Sequence, residues 1–158
     1  YVVKHTANYR KIFDSLLERI ESKDQAGLSV KLKKLRDRIL YAQAKAEAKI
    51  ENLIQDQFRH YCTLGDATVA EQYVYYGIGD LLECMDFRDK LRACEKLKIL
   101  TKQQIQLISK LNELRNNFVH RKAEDLKTYE NEKNFSDAIR IIIDTLIIIR
   151  VLVIPDKK

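Results

Sequence analysis

The feature that most constrains the fold is a run of apolar residues spaced three or four positions apart. Its members over about 25 residues are Leu28, Leu32, Leu35, Ile39, Ala42, Ala46, Ile50 and Leu53, and Phe58 and Tyr61 continue it. A half-buried strand needs apolar side chains at every second position, whereas this spacing places them along one side of an α-helix. The run therefore predicts one long helix ending at about Cys62, with a near-heptad seam for packing against other helices.

The composition agrees with an all-α chain. Only four glycines and one proline occur in 158 residues, so residues that favour turns are few and long helices are expected. We predict a single domain over 1–158, a helical bundle of four or five antiparallel helices. Its expected parts are two long N-terminal helices over 1–62, a connecting segment over 63–85 and the remaining helices over 86–158. The first helix is expected from about Lys4 to Ser22.

Capping signals predict where several helices begin. A side-chain acceptor followed three residues later by a polar or acidic partner is typical of a helix N-terminus. Such pairs occur at Asp80 and Glu83, Asp86 and Asp89, and Thr101 and Gln104. The polar segment 121–133 is expected to form a loop, after which Asn134 or Ser136 caps the final helix.

The segment 63–85 carries the weakest pattern. Asp66 is a candidate cap for a short helix that runs through Tyr76 and ends at Gly77 and Gly79. These two glycines do not form a dinucleotide-binding fingerprint, since Leu82 stands at the place of the third glycine. The neighbouring tyrosines, Tyr73, Tyr75 and Tyr76, are expected to pack across the bundle rather than to stack on bases.

The last segment, from Ile139 to Val153, is the most apolar part of the chain. Its β-branched residues favour a strand locally, but its length and the lack of a partner strand favour a helix. We predict the central helix of the bundle, buried nearly all round, with Arg140 paired to Asp144 one turn away. Charged residues interrupt the segment too often for a membrane span, so no membrane association is expected.

Charge and cysteine usage bound the possible partners. The net charge of +6 and pI near 9.2 permit a polyanionic partner without requiring one. The basic residues of 31–38 are expected to form a solvated helix face. The three cysteines lack metal-ligand spacing, and with no signal-peptide pattern they predict reduced thiols in a cytoplasmic protein without a metal or other cofactor. A first residue other than Met suggests a piece of a longer protein.

The stretch from Leu114 to Lys122 gathers the groups best suited to chemistry. It holds two amides, one histidine and the cations Arg115, Arg121 and Lys122. On a continuous helix Asn116 and His120 share a face, while Arg115 and His120 point roughly 140° apart. If both act on one substrate atom, then either the helix ends near Val119 or a second chain supplies the complementary copy. Alternatively, Arg115 and His120 only interact with the carbonyls and dipole of a helix end.

Residues 111–120 resemble the R-x4-6-H signature of the HEPN superfamily. In that signature an arginine is followed by a polar residue and later by a histidine, here Arg115, Asn116 and His120. Residues 86–153 as a whole are similar to members of the mannitol-operon-regulator kind. The resemblance implies an all-α, often dimeric fold, with the motif lining a cleft between protomers. Some toxin members carry His-x-Tyr at the end of the motif, whereas this chain has His120-Arg121-Lys122, so a mechanism that uses that tyrosine does not transfer.

The resemblance implies a metal-independent endoribonuclease, a toxin or defence component that cuts RNA through attack of the 2′-hydroxyl. His120 suits acid–base work near neutral pH, and Arg115 suits stabilisation of the charge on phosphorus. Asn116 would orient the imidazole or bind the phosphate, and Arg121 and Lys122 would add affinity for RNA. The expected partners are RNA, a second copy of the chain and a nucleotidyltransferase-type antitoxin or other protein. The alternative is a non-catalytic domain for RNA binding, regulation or protein interaction.

The other two histidines, His5 and His60, lack comparable surroundings and are expected to be structural or surface residues. His60 and Cys62 do not make a metal site without further ligands.

Overall fold

A computed structural model describes residues 9–21, 27–63 and 69–152 of the chain. Every regular element in these ranges is helical and none is a strand, which confirms the predicted all-α class. The elements are α1 (Tyr9–Glu21), α2 (Val30–Thr63), α3 (Val69–Cys84), α4 (Phe87–Lys96), α5 (Lys102–His120), α6 (Ala123–Leu126), a 3-10 turn (Lys127–Glu130) and α7 (Glu132–Val151). The count of four or five helices is not confirmed. Several predictions concern parts of the chain that are not described. They are those for His5 and Asp66 and for the side chains of His60, Cys62 and the three tyrosines.

The long helix predicted from the periodic run is present and organises the molecule. α2 packs against α1, α3, α4, α5, α7 and the 3-10 turn. Its alanines at 42, 44, 46 and 48 are all buried, which lets neighbouring helices approach its backbone. The central helix of the bundle is therefore α2, and the prediction that the final helix is central was wrong.

The core divides into three apolar clusters along α2. The first joins its N-terminal half to α5 and α7 through residues such as Leu35, Leu111 and Ile142. The second joins its later part to α3, α4 and the beginning of α5, with Ile50 and Ile108 among its members. In the third, Leu16, Ile20, Leu40 and Val119 hold α1 against α2 and the last turns of α5.

The final helix is buried on one side only. Ala138, Ile142 and Thr145 are buried, whereas Ile143, Ile147 and Val151 are exposed. No ion pair joins Arg140 to Asp144. The prediction of all-round burial was wrong because α7 lies at the side of α2 and its apolar residues cover more of its circumference than that contact buries. None of the helices in the described ranges is long and apolar enough to cross a membrane.

Two of the predicted helix starts are confirmed. The Asp86 carboxylate accepts a hydrogen bond from the backbone N–H of Asp89 at 2.8 Å. Thr101 and Gln104 form a reciprocal capping box at the start of α5. The third signal, Asp80 with Glu83, lies inside α3, and that helix continues through Gly77 and Gly79 to Cys84. Glycine costs an α-helix only about 1 kcal/mol, too little to end α3 where its apolar residues pack against α2.

The segment expected to be a loop, 121–133, is mostly helical. α6 and the 3-10 turn occupy it, and α7 begins at Glu132 with Asn131 as its cap, not Asn134 or Ser136. Leu126 is fully buried in the first cluster, and the ring of Tyr129 lies 4.9 Å from that of Phe118. These two apolar contacts draw an otherwise polar segment onto the bundle.

Candidate functional site

The helix that carries the candidate residues does not end before His120. α5 runs continuously from Lys102 to His120, and the N–H of Arg121 donates to the carbonyl of Asn117. α5 therefore ends one residue after Val119, close to the predicted end, but His120 still belongs to its last turn. On this continuous helix Arg115 and His120 project roughly 140° apart.

Arg115 lies on the inner side of α5, one turn before the buried Val119. It lines a cleft of about 420 Å³ between α1, α2, α4 and α5, with Glu83 of α3 at its side. Residues of the α1 wall are Lys11, Ile12, Ser15, Leu16 and Arg19, and those of the opposite walls include Glu47, Glu51, Phe87 and Lys90. The Nε atom of Arg115 is inaccessible to solvent and has no hydrogen-bond partner. Arg115 therefore presents a half-buried guanidinium to this cleft.

The floor of the cleft is an ion network centred on Lys90. Its Nζ atom donates to Glu47 at 2.7 Å and to Glu51 at 2.6 Å, and the lysine is almost fully buried. Burial alone would lower the pKa of Lys90, but the attraction of the two carboxylates and their hydrogen bonds outweighs it and the pKa is raised. For Glu51 burial dominates, and its pKa is raised despite the contact with Lys90.

The pKa of Arg115 is influenced by Glu47 of the same network. Burial lowers its pKa, Glu47 acts in the opposite direction, and the nearby Arg19 reinforces the lowering. A guanidinium remains charged under all ordinary conditions. The shift therefore indicates that the cation is only partly compensated where it stands. A ligand carboxylate or phosphate would relieve this, although the acidic side chains of the cleft would oppose a highly charged one.

His120 and Asn116 lie on the outer side of α5. His120 is exposed and Asn116 half-buried, and their spacing of four places them on one face, as predicted. Arg121 and Lys122 follow directly and are exposed, so the end of α5 presents two cations beside the imidazole. The neighbouring Asn117 donates from Nδ2 to the hydroxyl of Tyr129 at 3.0 Å. That bond ties the end of α5 to the 3-10 turn.

The predicted residues therefore form two groups within one chain. Asn116, His120, Arg121 and Lys122 lie together at the outer end of α5, whereas Arg115 lines the inner cleft. None of the four lines that cleft. No single chain brings His120 and Arg115 to one substrate atom in this arrangement.

The ion network of Glu47, Glu51 and Lys90 was not predicted from the sequence. A signal was present, because each is a charged residue on a helix face that is otherwise apolar. Glu47 and Glu51 follow Ala46 and Ile50, and Lys90 precedes Leu91 in a short amphipathic helix. Charges in such positions are almost never buried unless they are paired. Two acidic residues four positions apart on one apolar helix face, with a basic residue on the apolar face of a second helix, could have indicated a buried ion pair.

Two other sequence predictions bear on the site. Four of the five basic residues in the run Lys31, Lys33, Lys34, Arg36 and Arg38 are exposed, as expected for a solvated face. The ammonium of Lys31 lies 4.3 Å from the ring centre of Phe135. Within the described ranges, no group of three or more His, Cys, Asp or Glu residues is placed to hold a metal ion.

Comparisons with family models, with curated proteins and with solved structures find no match to this chain. The resemblance to the HEPN superfamily therefore stays a prediction that rests on residues 86–153.

Proposed function

We propose that the protein is a metal-independent endoribonuclease of the HEPN type that acts as a homodimer. One observation carries the proposal. α5 presents an exposed imidazole, His120, beside Asn116, Arg121 and Lys122, at a helix end where an RNA strand has access. Because α5 stays helical through His120, the arginine that completes the site comes from a second copy of the chain.

The proposed chemistry divides between the two copies. The 2′-hydroxyl of the substrate attacks the adjacent phosphorus, the bond to the 5′-oxygen breaks, and a 2′,3′-cyclic phosphate and a 5′-hydroxyl result. His120 of one copy moves a proton, to or from these oxygens, and Asn116 orients its ring. Arg115 of the partner subunit binds the non-bridging oxygens and stabilises their charge in the transition state. Arg121 and Lys122 hold flanking phosphates.

Complementation between two inactive variants tests this arrangement. If each active site takes its arginine from one chain and its histidine from the other (a trans site), Arg115→Ala and His120→Ala each remove both active sites of a homodimer. In a mixed dimer one site carries both mutations and the other carries neither. Statistical mixing should therefore restore about a quarter of the wild-type rate, since half the dimers are mixed and each has one intact site. The measurement is cleavage of structured and unstructured RNA in EDTA, before and after co-refolding of the two chains.

Matched controls separate loss of function from loss of fold. Each single variant should lose about 10²–10³-fold in cleavage rate while keeping the helical signal and unfolding cooperatively. Lys110→Ala removes another cation of α5, exposed on the same helix, and should keep wild-type cleavage. If folded His120→Ala cleaves as fast as wild type, the assignment of His120 is wrong. No recovery on mixing, with both single variants inactive, would contradict the trans site.

A specific observation favours a second candidate, a non-catalytic domain for RNA binding or regulation. Arg115 lies in a cleft with Glu47 on its own chain, a position that suits a structural cation. In that case RNA is bound and not cut. Arg121→Ala and Lys122→Ala then weaken RNA binding and lower its salt dependence, whereas Arg115→Ala changes stability and leaves RNA affinity unaltered.

A further inference from the structure

Four of the described residues that line the cleft between α1, α2, α4 and α5 are acidic, and three of these are held by lysines. Glu47 and Glu51 both accept from the ammonium of Lys90, at 2.7 and 2.6 Å. At the side of the cleft, the ammonium of Lys11 lies 3.5 Å from the carboxylate of Glu83. Both lysines of the cleft therefore have carboxylate partners already.

The fourth acid is also engaged, whereas Arg115 is not. The carboxylate of Asp86 accepts from the backbone N–H of Asp89 and caps α4. Arg115 forms no hydrogen bond and no ion pair with the described residues of the chain. The carboxylate that attracts it, that of Glu47, is bonded to Lys90. The cleft therefore lacks an anion opposite Arg115.

We propose that this cleft binds a small organic ligand with a single carboxylate, which pairs with the guanidinium of Arg115. The planar fork of a guanidinium matches the two oxygens of a carboxylate. Arg19 also lines the cleft and acts on Arg115 as a second positive charge, so the site favours an anion over a neutral group. A dianion fits less well, because Glu47 would repel its second charge.

The rest of the lining favours an apolar body on this ligand. The apolar lining residues are Ile12, Leu16, Met85 and Phe87. Along α1, Lys11 and Arg19 are about 12 Å apart, and Ile12 and Leu16 lie between them. The volume of about 420 Å³ falls in the ordinary range of small-molecule sites, about 300–1,000 Å³. A carboxylic acid with an alkyl chain of medium length suits this shape.

Such a ligand has no part in the proposed nuclease chemistry. Because that chemistry assigns the guanidinium of Arg115 to a phosphate of RNA, a carboxylate bound in the cleft would compete with RNA for it. The competition rests on the proposed function, whereas the binding does not. Binding is therefore measured without RNA, so that either proposal can fail while the other stands.

Calorimetric titration with sodium octanoate tests the site. We expect one octanoate per chain, with a dissociation constant of about 1 mM or below. Octanol has the same chain without the charge and should bind about tenfold more weakly or worse, because hydrogen bonds to charged groups are the stronger ones. Octylamine should bind no better than octanol, since the acids of the cleft are already engaged. No saturation by octanoate up to about 10 mM, or tighter binding of octylamine, would overturn the proposal.

A variant of Arg115 locates the bound carboxylate. Arg115→Gln should lower the affinity for octanoate about tenfold or more, to that of octanol. Arg121→Gln replaces an exposed arginine outside the cleft and should leave the affinity unchanged. Because Arg115 is half-buried, both variants are first checked for helical signal and cooperative unfolding. If folded Arg115→Gln binds octanoate as tightly as wild type, the proposed pairing is wrong.

Ser15 allows a second test that leaves Arg115 in place. It is exposed on α1 and lines the same cleft, so its replacement does not disturb the core. Ser15→Glu supplies a carboxylate from the chain itself and should weaken octanoate binding about tenfold. Ser15→Gln has nearly the same shape without the charge and should bind octanoate like wild type. Equal affinities of these two variants for octanoate would contradict a carboxylate site.

Discussion

At the scale of single residues, the strongest local constraint is the buried ammonium of Lys90. Two carboxylates accept from it at 2.6–2.7 Å, and α2 and α4 are joined through the contact. Its pKa is raised above the ordinary 10.5, so its contribution to stability is complete below pH 10.5 and is lost as pH rises through the higher folded value. The raised pKa of Glu51 acts in the same direction at lower pH: the folded chain holds that proton more tightly than the unfolded chain does, so stability falls as pH rises from 4.5 through the higher folded value.

Removing this cation should be costly. Lys90→Met leaves Glu47 and Glu51 close together in a buried place, and we expect a loss of about 3–5 kcal/mol in the free energy of unfolding at pH 7. The loss should shrink as pH falls towards 4.5, because the carboxylates then take up protons. The measurement is urea unfolding of wild type and variant at the two pH values.

The control for this prediction removes the whole ion network. Lys90→Met combined with Glu47→Gln and Glu51→Gln leaves no buried charge, and most of the lost stability should return. A loss in Lys90→Met that is the same at both pH values would show that the missing lysine stem, and not the unpaired carboxylates, causes the effect.

The angular relation of Arg115 and His120 was predictable from the sequence because it depends only on their spacing along one helix. The surroundings of Arg115 were not. They depend on which residues α1, α2 and α4 bring to the cleft, and no local pattern connects Arg115 to Glu47, 68 positions earlier in the chain. Which partners a residue meets is set by tertiary packing, whereas its direction on a helix is set locally.

At the scale of elements, the end of α4 shows a backbone position that is strained for its residue. Lys98 has φ of +56°, in the left-handed region. Its N–H donates to the carbonyl of Glu95, and the N–H of Ile99 donates to that of Cys94, the two bonds of a Schellman motif. Glycine normally occupies this position because a Cβ atom costs about 1–2 kcal/mol there.

Lys98→Gly should therefore stabilise the protein by about 0.5–1 kcal/mol, after allowance for the greater freedom of glycine in the unfolded chain. Lys96→Gly is the matched control, since Lys96 lies in the last turn of α4. That change should destabilise by about the same amount. Both are measured as shifts of the urea midpoint. Equal and opposite shifts are expected, and a destabilising Lys98→Gly would contradict the conformational reasoning.

Elements were predictable where one face was strongly patterned or a capping side chain preceded the first turn. The periodicity of α2 and the starts of α4 and α5 agree with the sequence. The prediction for segment 121–133 failed because only Ala123, Leu126 and Tyr129 pack on the first cluster, too few for a periodicity to be seen. α3 failed because two glycines were interpreted as a helix end, whereas packing against α2 carries the helix through them.

At the scale of the whole molecule, the most apolar helix was mistaken for the central one. α2 has fewer large aliphatic residues than α7, yet it contacts six other elements because its small alanines allow helices to approach on several sides. α7 has a fully apolar outer row instead. The number of apolar residues in a helix therefore does not determine how deeply the helix is buried.

Two buried polar residues, Gln43 of α2 and Thr145 of α7, stand where each helix passes from the first apolar cluster to the second. Along the sequence, Gln43 lies between Ala42 of the first cluster and Ala46 of the second. Thr145 likewise lies between Ile142 of the first cluster and Ile149, which packs on the second. Both side chains are fully buried, and neither the Gln43 amide nor the Thr145 hydroxyl has a hydrogen-bond partner. Such groups lose their bonds to water on folding and gain nothing in return.

Replacing Gln43 by methionine keeps the length of the side chain and removes the unsatisfied amide. Because a buried polar group without a partner costs about 1–3 kcal/mol, Gln43→Met should raise the free energy of unfolding by about 1–2 kcal/mol. Gln106→Met, at an exposed position on α5, should change it by less than about 0.5 kcal/mol. A loss of stability in Gln43→Met would instead mean that an internal water forms hydrogen bonds with the Gln43 amide.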